Sequence, residues 1–303
     1  MAEKDILEKV LMAHSDVFAD CGNALVYSGR KRLKAEDVFP APTESFYRRK
    51  GKVHSQFEDV SAYLIKNGEI KLQFLIGNET ALEGRQVLRK ASYQGGAYRA
   101  QLESGRPVYP VIGIVIDWTR KGERIPRSLH ELLRREGVSE EDLELVDDVK
   151  LEVYHMNNLS PEIRARFTSD MGFVADYLNE GSFENRKDQK IVHIEALCEM
   201  MEALTGDTRF TDQVDELLRK QEEGKEITMC EYIDFLEARG EARGEKRGEA
   251  RGISIGEERG ITIGETRLGN LIQALLKEKK FSEIDAVSTN RKKRHELYKQ
   301  YGI

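Results

Sequence analysis

The sequence predicts an α/β domain, a small sheet with helices packed around it, followed by a helical C-terminal region. Three observations carry that expectation. Residues 57–80, FEDVSAYLIKNGEIKLQFLIGNET, read as a β-hairpin, because Asn67 tolerates and Gly68 favours the positive φ of a tight hairpin loop. Residues 108–118, VYPVIGIVIDW, form the near-continuous β-branched run of a strand buried on both faces. The segments between and after them place apolar residues at helical spacing, so strands alternate with helices.

In chain order, residues 3–27 show Ile6, Leu7, Val10, Leu11, Val17 and Phe18 near a 3.6 period and predict a helix. Asp20 closes that stripe, where a short acid serves as a solvated or capping residue. Residues 30–56 are basic, and Pro40 and Pro42 break any helix, so an irregular stretch is expected. Arg48, Arg49, Lys50 and Lys52, beside Tyr47, make a local positive patch that is either a phosphate contact or a solvated loop.

The hairpin's register follows from counting. A strict Asn67-Gly68 loop would put Asp59 on the aliphatic face with Leu72, Phe74 and Ile76, and an unpaired buried carboxylate costs several kcal/mol or protonates. A three-residue loop of Lys66, Asn67 and Gly68 reverses the faces. Val60, Ala62, Leu64, Ile70, Leu72, Phe74 and Ile76 then share one side. Asp59, Ser61, Tyr63, Lys71, Gln73 and Glu79 share the other. Asp59 and Glu79 meet there at the strand ends remote from the turn, where two carboxylates are either rim acids or oxygen ligands for a divalent cation.

After the hairpin, residues 81–102 predict a helix that Gly95 and Gly96 weaken by about 1 kcal/mol each, through a kink or close packing. Residues 126–136 predict a short helix opening with Pro126, residues 148–156 a strand, and PEIRARF and DMGFVADYL two more helices. The sheet domain is expected to span 1–180, with a helical extension over 181–236.

Between 237 and 266 a glycine recurs every fourth residue from Gly240 to Gly264, with arginines and glutamates on the same step. As an isolated helix this is not credible: seven glycines oppose it by roughly 6 to 7 kcal/mol, and like charges stand at i,i+4. The tract is either a flexible spacer or a helix formed when its Arg stripe meets a partner's Glu stripe, as in a homo-oligomer. Residues 267–303 predict short helices, with Ser282 and Asp285 as a variant capping box and Asn290 capping the last. Arg291, Lys292, Lys293 and Arg294 open that helix, as a DNA-facing helix-turn-helix or as a charged tail.

The totals exclude several classes. Of 303 residues, 34% are charged but the net charge is only −6, so nucleic-acid binding has to come from local patches. Cys21, Cys198 and Cys230 form no CxxC pair and read as free thiols of a reducing compartment. The six histidines include no HExxH or HxxxH, so nothing points to zinc. The acidic N-terminus is unlike a signal peptide and no run reaches ~18 apolar residues, so a cytoplasmic protein without a membrane partner is expected.

The segments FADCGNALVYSG, PTESFYRRKGK, FEDV, IGNET, YQGGAYRAQL, YPVIGIVI, IPRSLHELL and FTSDMGFVADYL occur in this order across about residues 15–180. Together they resemble the recombination-promoting nuclease and putative transposase family of the PD-(D/E)XK nuclease superfamily. The resemblance implies a restriction-endonuclease-like mixed sheet flanked by helices, cutting DNA with Mg²⁺, or with Mn²⁺ in its place. It carries the first catalytic aspartate onto Asp59. The family's next motif reads Glu-Asn-Gln-Thr where this chain has Gly77-Asn78-Glu79-Thr80. Aligned without a gap, Gly77 replaces the metal-binding glutamate. With a two-residue gap, Glu79 is that glutamate and Ala81 takes the third position.

The implied function is a metal-dependent DNA endonuclease of recombination or defence. Asp59 and Glu79 would be catalytic, Asp20 a further helix-borne metal ligand, and Gln94 or Lys71 a substitute for the water-orienting group. The alternative is a catalytically degenerate nuclease fold serving as a DNA-binding or oligomeric assembly module.

Overall fold

The hairpin forms about Asn67 and Gly68, whose φ angles of 54° and 77° suit a two-residue turn. Strand β4 (Val60–Lys66) pairs antiparallel with β5 (Glu69–Glu79), and Lys66 stands opposite Glu69, so the loop holds two residues rather than three. The expected separation of faces survives by another device, except that Ile70, set opposite Ile65, leaves the side of Leu64 and Leu72. The register shifts between Leu64 and Ile65, leaving Lys71 as an extra residue, and beyond it Leu64 opposes Leu72, Ala62 opposes Phe74 and Val60 opposes Ile76. A bulge does what the longer loop was expected to do, because the buried face sets the register.

The computed structural model describes residues 10–49, 52–57, 60–105, 107–119, 124–212 and 214–303, with backbone alone at 44–49, 52–57, 235 and 237–243. The sheet has five strands: β1 (Val38–Pro40), β4, β5, β6 (Val111–Asp117) and β7 (Glu152–His155), in that spatial order. β1 and β4 are antiparallel, as are β4 and β5, while β5, β6 and β7 run parallel. The stretch expected to be irregular thus supplies β1, and also a separate two-stranded pair, β2 (Glu44–Arg49) with β3 (Lys52–Phe57). Pro40 is tolerated because β1 lies at the sheet edge, where a missing N–H breaks no ladder.

One face of the sheet meets the N-terminal helix α1 (Ser15–Cys21), where Phe18 and Tyr27 pack edge-on against Phe74. The helix does not extend to residue 27 as an α-helix. It widens into a π-helical turn at Gly22–Val26, because Leu33 crosses at Gly22, where a Cβ would stand 2.4 Å from its Cδ1. Asn23 holds that crossing. Its amide donates to the Leu33 carbonyl, and its oxygen accepts the N–H groups of Arg32 and Leu33, each at 2.9 Å.

The other face is covered by α2 (Gln86–Ser104), which runs unbroken through Gly95; a Cβ at Gly95 would meet nothing within 4 Å. The close approach sits instead on the sheet, at Gly113 of β6, where a Cβ would stand 3.1 Å from Lys90 Cε. Leu82, Val87 and Val115 form a core here with Ile125, Leu132 and Leu151. Two short helices follow β6, α3 (Leu129–Arg135) and α4 (Glu140–Leu143), and β7 leads to α5 (Pro161–Arg164) and α6 (Met171–Glu180).

The chain divides into two compact units, Met1–Ile233 and Asp234–Ile303. The first therefore takes in most of the helical extension expected over 181–236, with α7 (Ile194–Thr205) and α8 (Val214–Glu222). Helix α9 begins at Met229 and continues to Lys277, so the period-four tract is helical. In the second unit its last turns pack with α10 (Phe281–Thr289) and α11 (Arg291–Tyr301) around Leu271, Leu275, Val287 and Leu297. Asn290 caps α11 as expected, accepting the N–H groups of Lys292 and Lys293. Ser282, expected to open the preceding helix, lies inside α10 instead. The Cys21, Cys198 and Cys230 thiols are free. Among the described residues no helix is long and apolar enough to cross a membrane.

Candidate active site at the carboxyl edge of the parallel strands

Parallel strands end together, and in open α/β sheets ligands bind beyond those ends. Here Glu79 closes β5, Asp117 closes β6 and His155 closes β7, and the ladder sets Glu79 beside Asp117 and Asp117 beside His155. Strands lie about 4.8 Å apart, so the three side chains form a row on one face.

At one end of the row, Glu79 is nearly buried, its side chain 12% exposed. Its Oε1 accepts the Gln86 amide at 2.6 Å and pairs with the Arg89 guanidinium at 2.9 Å. Both partners lie on the first turns of α2, which the crossover from β5 returns over the same face. Between α2 and the sheet a cleft of about 20 Å³, room for one water, is lined by Gly77, Glu79, Gln86, Arg89, Lys90 and Gln94 among others. Burial lowers the Lys90 ammonium's pKa against the opposing effect of Glu152, and its Nζ donates to the Lys150 carbonyl.

At the other end, Asp117 is fully buried. Its Oδ2 lies 2.5 Å from His155 Nδ1, and its Oδ1 accepts the Thr119 N–H at 2.9 Å. His155 Nε2 lies 2.6 Å from the Arg127 guanidinium. Arginine only donates, so Nε2 is the acceptor and Nδ1 carries the proton toward Asp117. Arg127 is itself placed by a capping box. Ser128 caps α3 by accepting the Glu131 N–H, and the Glu131 carboxylate accepts the Arg127 N–H at 2.7 Å.

The residues expected from the sequence are distributed differently. Asp59 and Lys50 lie outside the described residues. Glu79 stands where the hairpin was expected to carry it. Asp20 is neither solvated nor a cap of its own helix. It is buried, and its two oxygens accept the N–H and hydroxyl groups of both Thr168 and Ser169, which precede α6. Four donors use the lone pairs a cation would need, so the expectation that Asp20 is a metal ligand gives way to a tie between α1 and the start of α6.

Lys71 pairs with Glu69 near the hairpin turn, eight positions before Glu79, and the Gln94 amide is committed to the Val111 carbonyl. Gln86 is an amide that hydrogen-bonds Glu79. Arg48, Arg49 and Lys52 lie on the β2–β3 ribbon. Of the C-terminal cluster, Arg291, Lys292 and Lys293 are exposed, while Arg294 folds back to the carbonyls of Val287 and Ser288.

A divalent ion finds a partial fit. Glu79 is a hard oxygen donor at the right edge, but Arg89 and Gln86 already share its Oε1. Among the described residues no three His, Cys, Asp or Glu side chains cluster as a metal site. Gly77 has room for more: a Cβ there would stand 3.8 Å from Val115 Cγ2 and 4.0 Å from Glu79 Oε1, ordinary contacts.

Sequence reasoning passed over Asp117, His155 and Arg127. The available signal was a lone acid ending the apolar run VIGIVID, since a charge there sits at a sheet edge rather than in the core. No family model matches the chain, and no curated protein or solved structure matches it either.

Proposed function

We propose that the protein is a metal-dependent DNA endonuclease of the recombination-promoting nuclease type, hydrolysing phosphodiester bonds at the carboxyl edge of β5, β6 and β7. The observation that carries this reading is Glu79, a nearly buried carboxylate at the end of the second hairpin strand, held by two groups of the crossover helix. The mixed sheet, a hairpin followed by a parallel crossover, accords with the architecture that the resemblance implies. Mg²⁺ or Mn²⁺ between Asp59 and Glu79 would stabilise charge on the scissile phosphate.

The chain's own groups have separable tasks. Gln86 and Arg89 fix the Glu79 side chain, and Arg89, with its side chain 42% exposed, also presents positive charge to a DNA backbone. Asp117 holds His155 in one tautomer, and Arg127 stands beside it as a second cation at the same edge.

A second reading has its own support. Gly77 removes one carboxylate, and the Arg89 ion pair neutralises another, the pattern of a site that binds a phosphate backbone without cutting it. One assay separates the two. Purified protein is incubated with supercoiled plasmid and Mg²⁺ or Mn²⁺, alongside Asp59→Ala and Glu79→Gln. The nuclease reading expects nicking by the parent and a loss of about 100-fold in each variant. Equal nicking by the parent and Asp59→Ala overturns the assignment. Plasmid retention without nicking, with cleavage appearing in Gly77→Glu, establishes the binding reading in its place.

A further inference from the structure

The segment Gly244–Gly264 of α9 is exposed along its whole length, and a Cβ added to Gly244, Gly248, Gly252, Gly256, Gly260 or Gly264 would meet nothing within 4 Å. The residues flanking this seam are matched in type, two positions apart. Glu245 goes with Arg247, Glu249 with Arg251 and Glu257 with Arg259. Where the first member turns apolar, so does the second, as Ile253 with Ile255 and Ile261 with Ile263. Those four isoleucines are 38% to 63% exposed on an otherwise charged segment.

The matching has no use inside one helix. Residues two apart point about 200° away from each other and cannot touch. Measured from the seam direction midway between successive glycines, one member of each pair lies about 80° to one side and the other about 80° to the opposite side. Each pair therefore straddles the seam, and its members can meet only across a second helix.

We propose that this segment associates with the same segment of a second copy of the chain, the two helices lying parallel and related by a two-fold axis along their common direction. In that arrangement the row to the left of one seam faces the row to the right of the other. Glutamates then meet arginines, and isoleucines meet isoleucines, along both edges. An antiparallel pair related by a perpendicular two-fold axis sets each row against its own copy, arginine on arginine and glutamate on glutamate. The glycines allow close approach. Their step of four exceeds the 3.6-residue turn, so the seam advances about 40° per repeat and the pair winds right-handedly. Nothing in this rests on the reaction at the sheet edge.

The full chain tests it by light scattering after size exclusion. The wild type is expected at twice the 34.7 kDa chain mass. A variant carrying Arg247→Glu, Arg251→Glu and Arg259→Glu, and another carrying Glu245→Arg, Glu249→Arg and Glu257→Arg, are each expected at the mass of one chain. Their equimolar mixture is expected to return to two. Orientation is read in a Cys230→Ser background, which removes the exposed thiol. Gly244→Cys and Gly264→Cys, each alone, are expected to form disulfide-linked pairs on oxidation. A one-chain or three-chain wild type overturns the proposal, as does undiminished pairing of either charge variant alone. Cross-linking only in a mixture of Gly244→Cys with Gly264→Cys overturns the parallel arrangement, and the cysteine arm stands even where a charge variant loses helicity.

Discussion

Strand β6 and the Gly244–Gly264 stretch of α9 are both uninterrupted secondary structure, held in opposite ways. β6 is paired on both sides, and Ile114, Val115 and Ile116 are each no more than 3% exposed. The α9 stretch is exposed throughout, and its six glycines oppose the helix by about 5 to 6 kcal/mol relative to alanine. In the first, burial within the chain and local propensity act in the same direction. In the second, local propensity is unfavourable, and the proposed pairing with a second copy is what would offset it.

The contrast is broken or sharpened most strongly at the sheet core. Phe74, 2% exposed and contacted edge-on by two rings, leaves a cavity when truncated, so Phe74→Ala is expected to cost about 3 to 5 kcal/mol in urea unfolding of the first unit. A loss under about 1 kcal/mol would mean that the α1 face contributes little to the sheet. The small C-terminal core should be more modest in scale. Asn290→Ala removes two capping hydrogen bonds from α11 and is expected to cost about 1 kcal/mol, read as lost thermal stability of the second unit. An equal loss in the first unit would contradict the division of the chain.

The smallest effect is one of pH. His14 stacks on His193 at 3.7 Å, and His193 in turn bonds Asp16 of α1. Burial and the neighbouring His193 hold the His14 pKa below 6.5, against the opposing pull of Asp16 and Asp170. The unfolded chain therefore binds this proton more readily, and the stability His14 contributes is full above pH 6.5 and lost as pH falls through the folded value. His14→Gln is expected to flatten that part of the stability profile. A slope unchanged by His14→Gln would assign the acid sensitivity to another group.

Much of the fold was legible because it repeats locally. The Asn67-Gly68 turn, the β-branched run ending at Asp117 and the cap at Asn290 each depend on the backbone preferences of a few adjacent residues. What escaped depends on distance in the chain. The strands at 38–40, 44–49 and 52–57 carry Pro40 and several charges that argue against a strand locally, and they form because a partner is supplied. Asp20 shows the same limit at the scale of one side chain. Its residue type fitted a solvated helix end or a cation ligand, and the acceptor role was decided by Thr168 and Ser169, about 150 positions away.

The sequence by itself determined the alternation of strands and helices, the polar face that carries Glu79, and the matched rows of the period-four tract, since all three are periodicities of one chain. Only the tertiary structure decided that a bulge at Lys71 sets the hairpin's faces, that Gln86 and Arg89 hold Glu79, and that Asp117, His155 and Arg127 meet at the same edge. The reason is physical. Parallel strands bring their ends together through crossovers of about 30 residues or more, and no local preference records which side chains those crossovers align.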